Sequence, residues 1–400
     1  MAEKGAYADS AVMPTYGRSD LSFVRGQGSW LFTADDKAYL DCATGIAVNL
    51  FGHNEPRLNA ALHQQADKLW HTSNLYRIPE QERLATRLAE HAKLDHVFFC
   101  NSGAEANEAA VKMARRFKNR TSSEECYKIL CASGSFHGRT LAMLAATDKP
   151  QFREGFGPMP LGFEHVPFGN LNSLRDALSD DVAAIMIEPV QGEGGAISAP
   201  DGYMQGVKSA ADEYGCLLIA DEVQSGMGRS GYLFAYQAAD IQPDLVVLAK
   251  GLGGGFPVGA VIARRDIGEA MGPGSHGSTF GGNPLAMAVA NAVLDGLEKD
   301  GFLAAVRERI ASLDSYMTQL QKAWPEKIIE LRGAGLLRGL RLAEGIAVAE
   351  VTTTLRDRYL LCVPAADNVL RLLPPLNISE DELAIVHSTL NHCFSELAAV

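Results

Sequence analysis

The stretch Leu217–Gly259, LLIADEVQSGMGRSGYLFAYQAADIQPDLVVLAKGLGGGFPVG, holds two short apolar runs, each ending on a charge. Leu217–Ala220 runs into Asp221, and Leu245–Ala249 runs into Lys250. Runs of this length, rich in Leu, Ile and Val, predict strands buried on both faces of a parallel sheet. Ligands of such sheets bind beyond the carboxyl ends of the strands, so an acid and a lysine stand where chemistry is expected. A lysine that precedes Gly251, Gly253, Gly254 and Gly255 is ill suited to packing. Desolvation lowers a lysine pKa and makes the amine a nucleophile, as a Schiff-base former requires. A carboxylate buried at Asp221 wants a cation, and a protonated pyridine nitrogen would serve. Together the two residues suggest pyridoxal phosphate. The plainer partner for Asp221 is a nearby base such as Arg229. GLGGGFP is not a Walker loop, because no Lys-Ser/Thr follows its glycines.

Outward from this stretch the pattern repeats. HVFFC (96–100), YKILCAS (127–133), AAIMIEPV (183–190) and VGAVIA (258–263) read as further strands, with helical segments such as EANEAAVKMARRFKN and GYMQGVKSAADEYG between several of them. Strands alternating with helices predict an α/β fold with a mainly parallel sheet. NPLAMAVANAVLDGLEKD opens with Asn283 as helix cap and Pro284 at the first helical position. Residues 1–56 predict an irregular arm, packed on the body or a partner subunit, and then a strand–turn–strand around Asp35-Asp36-Lys37. Beyond about residue 300 an amphipathic helix and a glycine-kinked strand pair, IIELRGAGLLRGLRLA, predict a smaller α+β unit. The expected division is a large domain over 57–300 and a small domain made of 301–400 together with 1–56.

Composition narrows the class. Four hundred residues exceed the usual size of one core. A net charge of −12 without a basic run argues against nucleic acid or an anionic membrane as partner. No apolar run is long enough for a membrane span, and MAEKGAYADSAVM lacks a signal peptide's apolar core. Seven cysteines, an odd number with no CxxC, point to reduced thiols, a cytoplasmic setting and no metal site.

Four other loops carry candidate chemistry. In CNSGAEANEAA (100–110), Ser102, Gly103 and Ala104 would present a hydroxyl and free N–H groups at a helix start, an anion site. Ser102 and Glu105 also have capping-box spacing, and could simply satisfy the helix end. In SFHGRTL (135–141), Phe136 could stack on a ring and Arg139 could clamp a carboxylate, while His137 in a glycine turn reads as structural. Glu188 and Glu193 of IEPVQGEGG sit at the same sheet edge, either facing a ligand or binding backbone N–H groups of the turn. GSTFGGNP (277–284), with Ser278 and Thr279, is a further hydroxyl and amide cluster suited to phosphate.

Taken in order, CNSGAEANE, FHGRT, EPVQGEGG, DEVQSGMGRSG, AKGLGGGFPVGA and GSTFGGNPLA resemble the class III aminotransferases, pyridoxal-phosphate enzymes of fold type I. PTYGRSD, GIAVNLFGHNEP and HTSNLY look most like the acetylornithine aminotransferases of that class. The resemblance covers nearly the whole chain. It implies that Lys250 holds the cofactor covalently and shuttles a proton, that Asp221 pairs with the pyridinium, and that Gln224 binds the phenolic oxygen. Phe136 and Val223 would sandwich the ring. Ser102, Gly103 and Ala104 would hold the phosphate, joined by Thr279 of a neighbouring subunit, which makes a homodimer. Arg139 would bind the carboxylate far from the reacting amine, and Arg371 the α-carboxylate of glutamate or 2-oxoglutarate. Glu193 would pair with Arg371 while an ω-amine substrate is bound. Ile46 replaces a tyrosine of the relatives that act on free ornithine, and Tyr16 matches a tyrosine near the distal end of the amine substrate. The implied reaction transfers the amine of N-acetylornithine to 2-oxoglutarate; succinylornithine or 4-aminobutyrate transamination and an aminomutase are the alternatives. Arg338, in LLRGLRL, departs from the uncharged residue usual there and could face solvent.

Overall fold

A computed structural model describes residues 10–122 and 125–397. The first nine residues of the expected arm, and the last three of the C-terminal unit, lie outside that range. The central sheet has seven strands, in the order His96–Cys100, Gly259–Ala263, Leu245–Leu248, Leu217–Asp221, Val182–Ile187, Lys128–Ala132 and Phe163–Val166. The last five are mutually parallel, and only Gly259–Ala263 runs against its neighbours. Six carboxyl ends therefore meet at one edge, which is how loops distant in sequence come to share a site. Every residue of Leu217–Asp221 and Leu245–Leu248 is buried, as expected of strands covered on both faces. The edge strand Phe163–Val166 was not read from the sequence. It is four residues long with an exposed glutamate, so no apolar run announces it.

Helix Gly103–Thr121 covers one face of this sheet, burying Ala106, Ala109, Ala110, Met113 and Ala114. Small side chains at that spacing let the helix lie close to the strands. The other face packs under Pro284–Leu297, capped as expected by Asn283, whose Oδ1 accepts the Ala286 N–H at 2.9 Å.

The C-terminal part forms an antiparallel sheet, ordered Ile328–Ala334, Leu337–Leu342, Val369–Leu372 and Val363–Ala365, against the helices Phe302–Ala323 and Glu380–Glu396. The N-terminal strands Arg25–Gln27, Trp30–Phe32 and Ala38–Asp41 form a meander, and Ala38–Asp41 pairs in parallel with Leu360–Leu361. Arg338 is only partly exposed; it pairs with Asp314 and donates to the Gly333 carbonyl. An acid on the neighbouring long helix makes that position tolerable for a charge.

One local feature has no sequence signature beyond a single glycine. Thr44, Gly45, Ile46 and Ala47 take φ of 48°, 64°, 66° and 61°, a turn of left-handed helix. For L-residues with a side chain this costs about 1–2 kcal/mol each, so tertiary contacts must hold it.

Candidate active site

A cavity of about 430 Å³ opens at the carboxyl edge of the sheet. Ser102, Gly103, Ala104, Phe136, Arg139, Glu188, Asp221, Val223, Gln224 and Lys250 all line it. The chain thus brings together most of the residues singled out from sequence, from five separate loops.

Lys250 enters because the strand ends at Leu248 and the chain turns off the sheet with a left-handed backbone at Lys250 (φ 41°), starting the short helix Lys250–Leu252. Burial lowers its pKa to about 8, against the opposing pull of Glu193. The free amine is therefore present at mildly alkaline pH. Modification of the apoprotein by a small aldehyde, followed by borohydride reduction and mass mapping, should label Lys250 with a midpoint near pH 8. A free lysine would show a midpoint near 10.5. The same shift has a stability sign: the folded state disfavours the proton. That cost is fully present below about pH 8 and fades as pH rises toward 10.5, so this residue's contribution improves with pH across that window.

Asp221 is 2 % exposed, and both its oxygens are hydrogen-bonded. Its Oδ1 accepts the Val223 N–H at 3.0 Å, and its Oδ2 faces Asn107 Nδ2 at 2.8 Å and His137 Nδ1 at 2.7 Å. Two readings are corrected here. Arg229 is not the partner of Asp221: it is buried elsewhere, donating to the Leu336 and Pro374 carbonyls. His137 is not an incidental turn residue but the group that orients this carboxylate. Burial opposes its charge, yet the hydrogen bond and charge of Asp221 prevail and hold its pKa above the usual value. Its Nε2 is buried without a partner. A histidine in a Gly-flanked turn carries no sign of this; only the packing of helix Gly103–Thr121 against two strand ends creates it. His137→Phe should lower the apoprotein's stability by about 1–3 kcal/mol in urea unfolding, by depriving a buried carboxylate of a donor.

Beside Asp221, Ser102 caps the helix: its Oγ accepts the Glu105 N–H at 3.2 Å, and Glu105 folds back on the Asn101 N–H at 2.6 Å. The capping reading holds, and the capping serine also lines the cavity. The first N–H groups of a helix have no intrahelical carbonyl and remain available to an anion. A Cβ at Gly103 would lie 2.9 Å from Val223 Cγ1, so only glycine lets Val223 close over this helix start.

Glu188 accepts the N–H groups of Phe136 at 2.9 Å and Gly192 at 3.3 Å, the turn-binding alternative, and burial raises its pKa to about 7. Glu222, which had no sequence signal, is buried next to Asp221 in the chain order. It receives Ser225 Oγ at 2.6 Å and the Tyr236 N–H at 2.8 Å, closing the loop after the Asp221 strand.

Arg371, from strand Val369–Leu372, is 1 % exposed and donates through Nη1 to Glu193 Oε1 at 2.7 Å and Gln224 Oε1 at 2.9 Å. Burial raises the Glu193 pKa, but Arg371 and Lys250 outweigh it and hold the carboxylate ionised. Arg139 has no ion-pair partner among the described residues; its guanidinium lies 3.4 Å from the Phe152 ring centroid, which leaves its edge free for a carboxylate. Ser278 and Thr279 are not brought to the Lys250 cavity of this chain. They line a second cavity with His276 and Phe280, because Ser278 is tied to Asn101 Nδ2 and the Gly281 N–H. Tyr16, 74 % exposed, and Ile46 are likewise absent from the lining, where Val48 stands instead.

Fold and cavity together describe an α/β enzyme with a desolvated lysine at a strand end. Comparison with known proteins narrows this further. The Aminotransferase class-III family profile matches residues 13–394. An acetylornithine aminotransferase of Rhodobacter capsulatus is 49 % identical over 94 % of this chain and 95 % of its own, and one of Agrobacterium fabrum is 47 % identical over 94 % of each. Among solved structures, the ornithine aminotransferase of Toxoplasma gondii superposes with a TM-score of 0.94 at 30 % identity, covering 98 % of this chain and 94 % of that one. The N-acetylornithine aminotransferase of Stenotrophomonas maltophilia gives 0.83 at 36 % identity, covering 95 % and 97 %. The chain belongs to the class-III aminotransferases.

Proposed function

We propose that the chain is a pyridoxal-phosphate-dependent ω-aminotransferase. It takes the terminal amine of N2-acetyl-L-ornithine and gives it to 2-oxoglutarate in ping-pong order, yielding N-acetyl-L-glutamate 5-semialdehyde and L-glutamate, a step of arginine biosynthesis. The observation that carries this reading is a desolvated lysine within the electrostatic reach of an arginine already covered by its own carboxylate. The donor is argued from relatives named acetylornithine aminotransferases, 47–49 % identical along 94 % of the chain.

The residues fit the cofactor. A hydrogen-bonded carboxylate, a helix start with a serine, a glycine whose Cβ would collide with Val223, and a lysine with pKa about 8 surround one space. Bound there, pyridoxal phosphate supplies the electron sink that makes the amine-bearing carbon acidic. Asp221, fixed by His137 and Asn107, would hold the ring nitrogen's proton. Ser102 and the N–H groups of Gly103 and Ala104 would take the phosphate, and Phe136 and Val223 would flank the ring, with Gln224 at its phenolic oxygen. Lys250 Nζ would take the proton from the amine-bearing carbon and release it again, because its lowered pKa lets it both accept and release. Arg139 would hold the distal carboxylate of acetylornithine. Glu193 would screen Arg371 while that substrate is present and yield when a dicarboxylate arrives, so that one site serves two charges.

A homodimer is part of the proposal. Phe280 is 62 % exposed beside Thr279, and Trp70, Leu75 and Tyr76 are exposed as well, apolar surface of the kind that a second copy covers. Thr279 would then complete the phosphate site across the boundary. A cytoplasmic setting is supported by seven unpaired, buried cysteines. No helix among the described residues is long and apolar enough to cross a membrane.

The test is a donor panel with 2-oxoglutarate. Acetylornithine should give the highest kcat/KM against succinylornithine, ornithine and 4-aminobutyrate. A better rate with any of the other three overturns the assigned donor, and turnover without 2-oxoglutarate would indicate an aminomutase.

A further inference from the structure

The left-handed turn Thr44–Ala47 is strained, and apart from Ile46, which does not line the Lys250 cavity, none of its residues has a role above. Asp41 holds it from within. This residue is 2 % exposed; its Oδ1 accepts the N–H groups of Ala43 at 2.8 Å and Thr44 at 2.9 Å, and its Oδ2 meets His53 Nε2 at 2.8 Å. One carboxylate thus pins the start of the turn and ties it to the chain that follows.

The outer side of the turn is fastened to the segment just after Arg371. Thr44 Oγ1 donates to the Leu373 carbonyl at 2.8 Å, the Leu373 N–H to the Cys42 carbonyl at 2.7 Å, and the Leu376 N–H to the Leu50 carbonyl at 2.7 Å. Ala47 is buried in a cluster with Val190, Val369 and Leu373, which joins the root of the Glu193 loop to the Arg371 strand. The next residue, Val48, lines the Lys250 cavity. Arg371 itself is held only through Nη1, and its Nε is buried without a partner. Its hydrogen bonds thus hold one end of the guanidinium, and the position of the strand end sets where that group lies relative to Glu193 and Gln224.

We propose that Asp41 and Thr44 are positioning residues for the acceptor half of the reaction. The turn they hold sets the Arg371 guanidinium in register with Glu193 and the cavity, and so governs how well a dicarboxylate binds. The strain is the reason two anchors are needed, since a relaxed turn would draw Leu373 and the strand end with it. This inference rests on the reading that Arg371 receives the acceptor's carboxylate.

The test uses holoenzyme and glutarate, an unreactive dicarboxylate, titrated by calorimetry, with single-turnover kinetics of each half-reaction alongside. Thr44→Val removes one hydroxyl at nearly constant shape, and Asp41→Asn weakens the inner anchor. Each should weaken glutarate binding by about tenfold, the loss of one buried hydrogen bond, and leave the amine half-reaction unchanged. Adding Ala47→Gly to Asp41→Asn, which makes the left-handed backbone easier, should restore part of the affinity. Unchanged glutarate affinity in Thr44→Val, or equal losses in both half-reactions, overturns the proposal even if Asp41→Asn fails to fold. Arg371→Ala is the control: if it leaves glutarate binding intact, the assignment of Arg371 falls rather than the role of the turn.

Discussion

Lys250→Ala is expected to abolish transamination, by about 10³-fold or more, and to leave a protein that loses its cofactor on gel filtration. The substitution removes the only amine that lines the cavity among the described residues. It also relieves a desolvated cation, so the variant should fold, and its apoprotein should be at least as stable as the parent below pH 8, where that burial cost is present. Activity and stability thus move in opposite directions, which separates a catalytic lysine from a structural one. Borohydride reduction of the parent holoenzyme should place the cofactor on Lys250 alone. Labelling of any other lysine would sink the assignment of the site.

Arg371→Ala is expected to divide the two half-reactions. Removing one partner of a buried, hydrogen-bonded charge pair costs about 2–5 kcal/mol, so 2-oxoglutarate binding should weaken by roughly 10²-fold or more. The amine half should change little, because there Glu193 occupies the guanidinium in place of substrate. Without Arg371, the Glu193 carboxyl loses the main influence that lowers its pKa, and burial pushes it upward. A rise in the Glu193 titration on carboxyl difference spectroscopy would accompany the kinetic split. Equal losses in both halves would exclude a gate.

Much of this site was legible because its residues stand at the ends of apolar strands. Asp221 and Lys250 announce themselves by following runs that have no use for a charge, and Ser102 by its place at a helix start. The partners of those residues were not legible. His137 looked like a turn residue and Arg229 like a counter-ion, and the structure reverses them, because contact with Asp221 is decided by which loops cross above the sheet. Glu222 was hidden for a similar reason: next to a carboxylate in sequence, it turns the other way and serves backbone N–H groups.

The sequence by itself determined the α/β alternation, the buried strands and the acid and lysine at their ends, since burial on both faces demands continuous apolar runs and makes any charge conspicuous. Tertiary structure alone decided the order of the strands, the pairing of His137 with Asp221, and the placing of Ser278 and Thr279 in a second cavity of the same chain. It also decided the left-handed turn at Thr44–Ala47. Local preference opposes that conformation at three of its four residues, and only contacts from Asp41 and the distant Leu373 can sustain it.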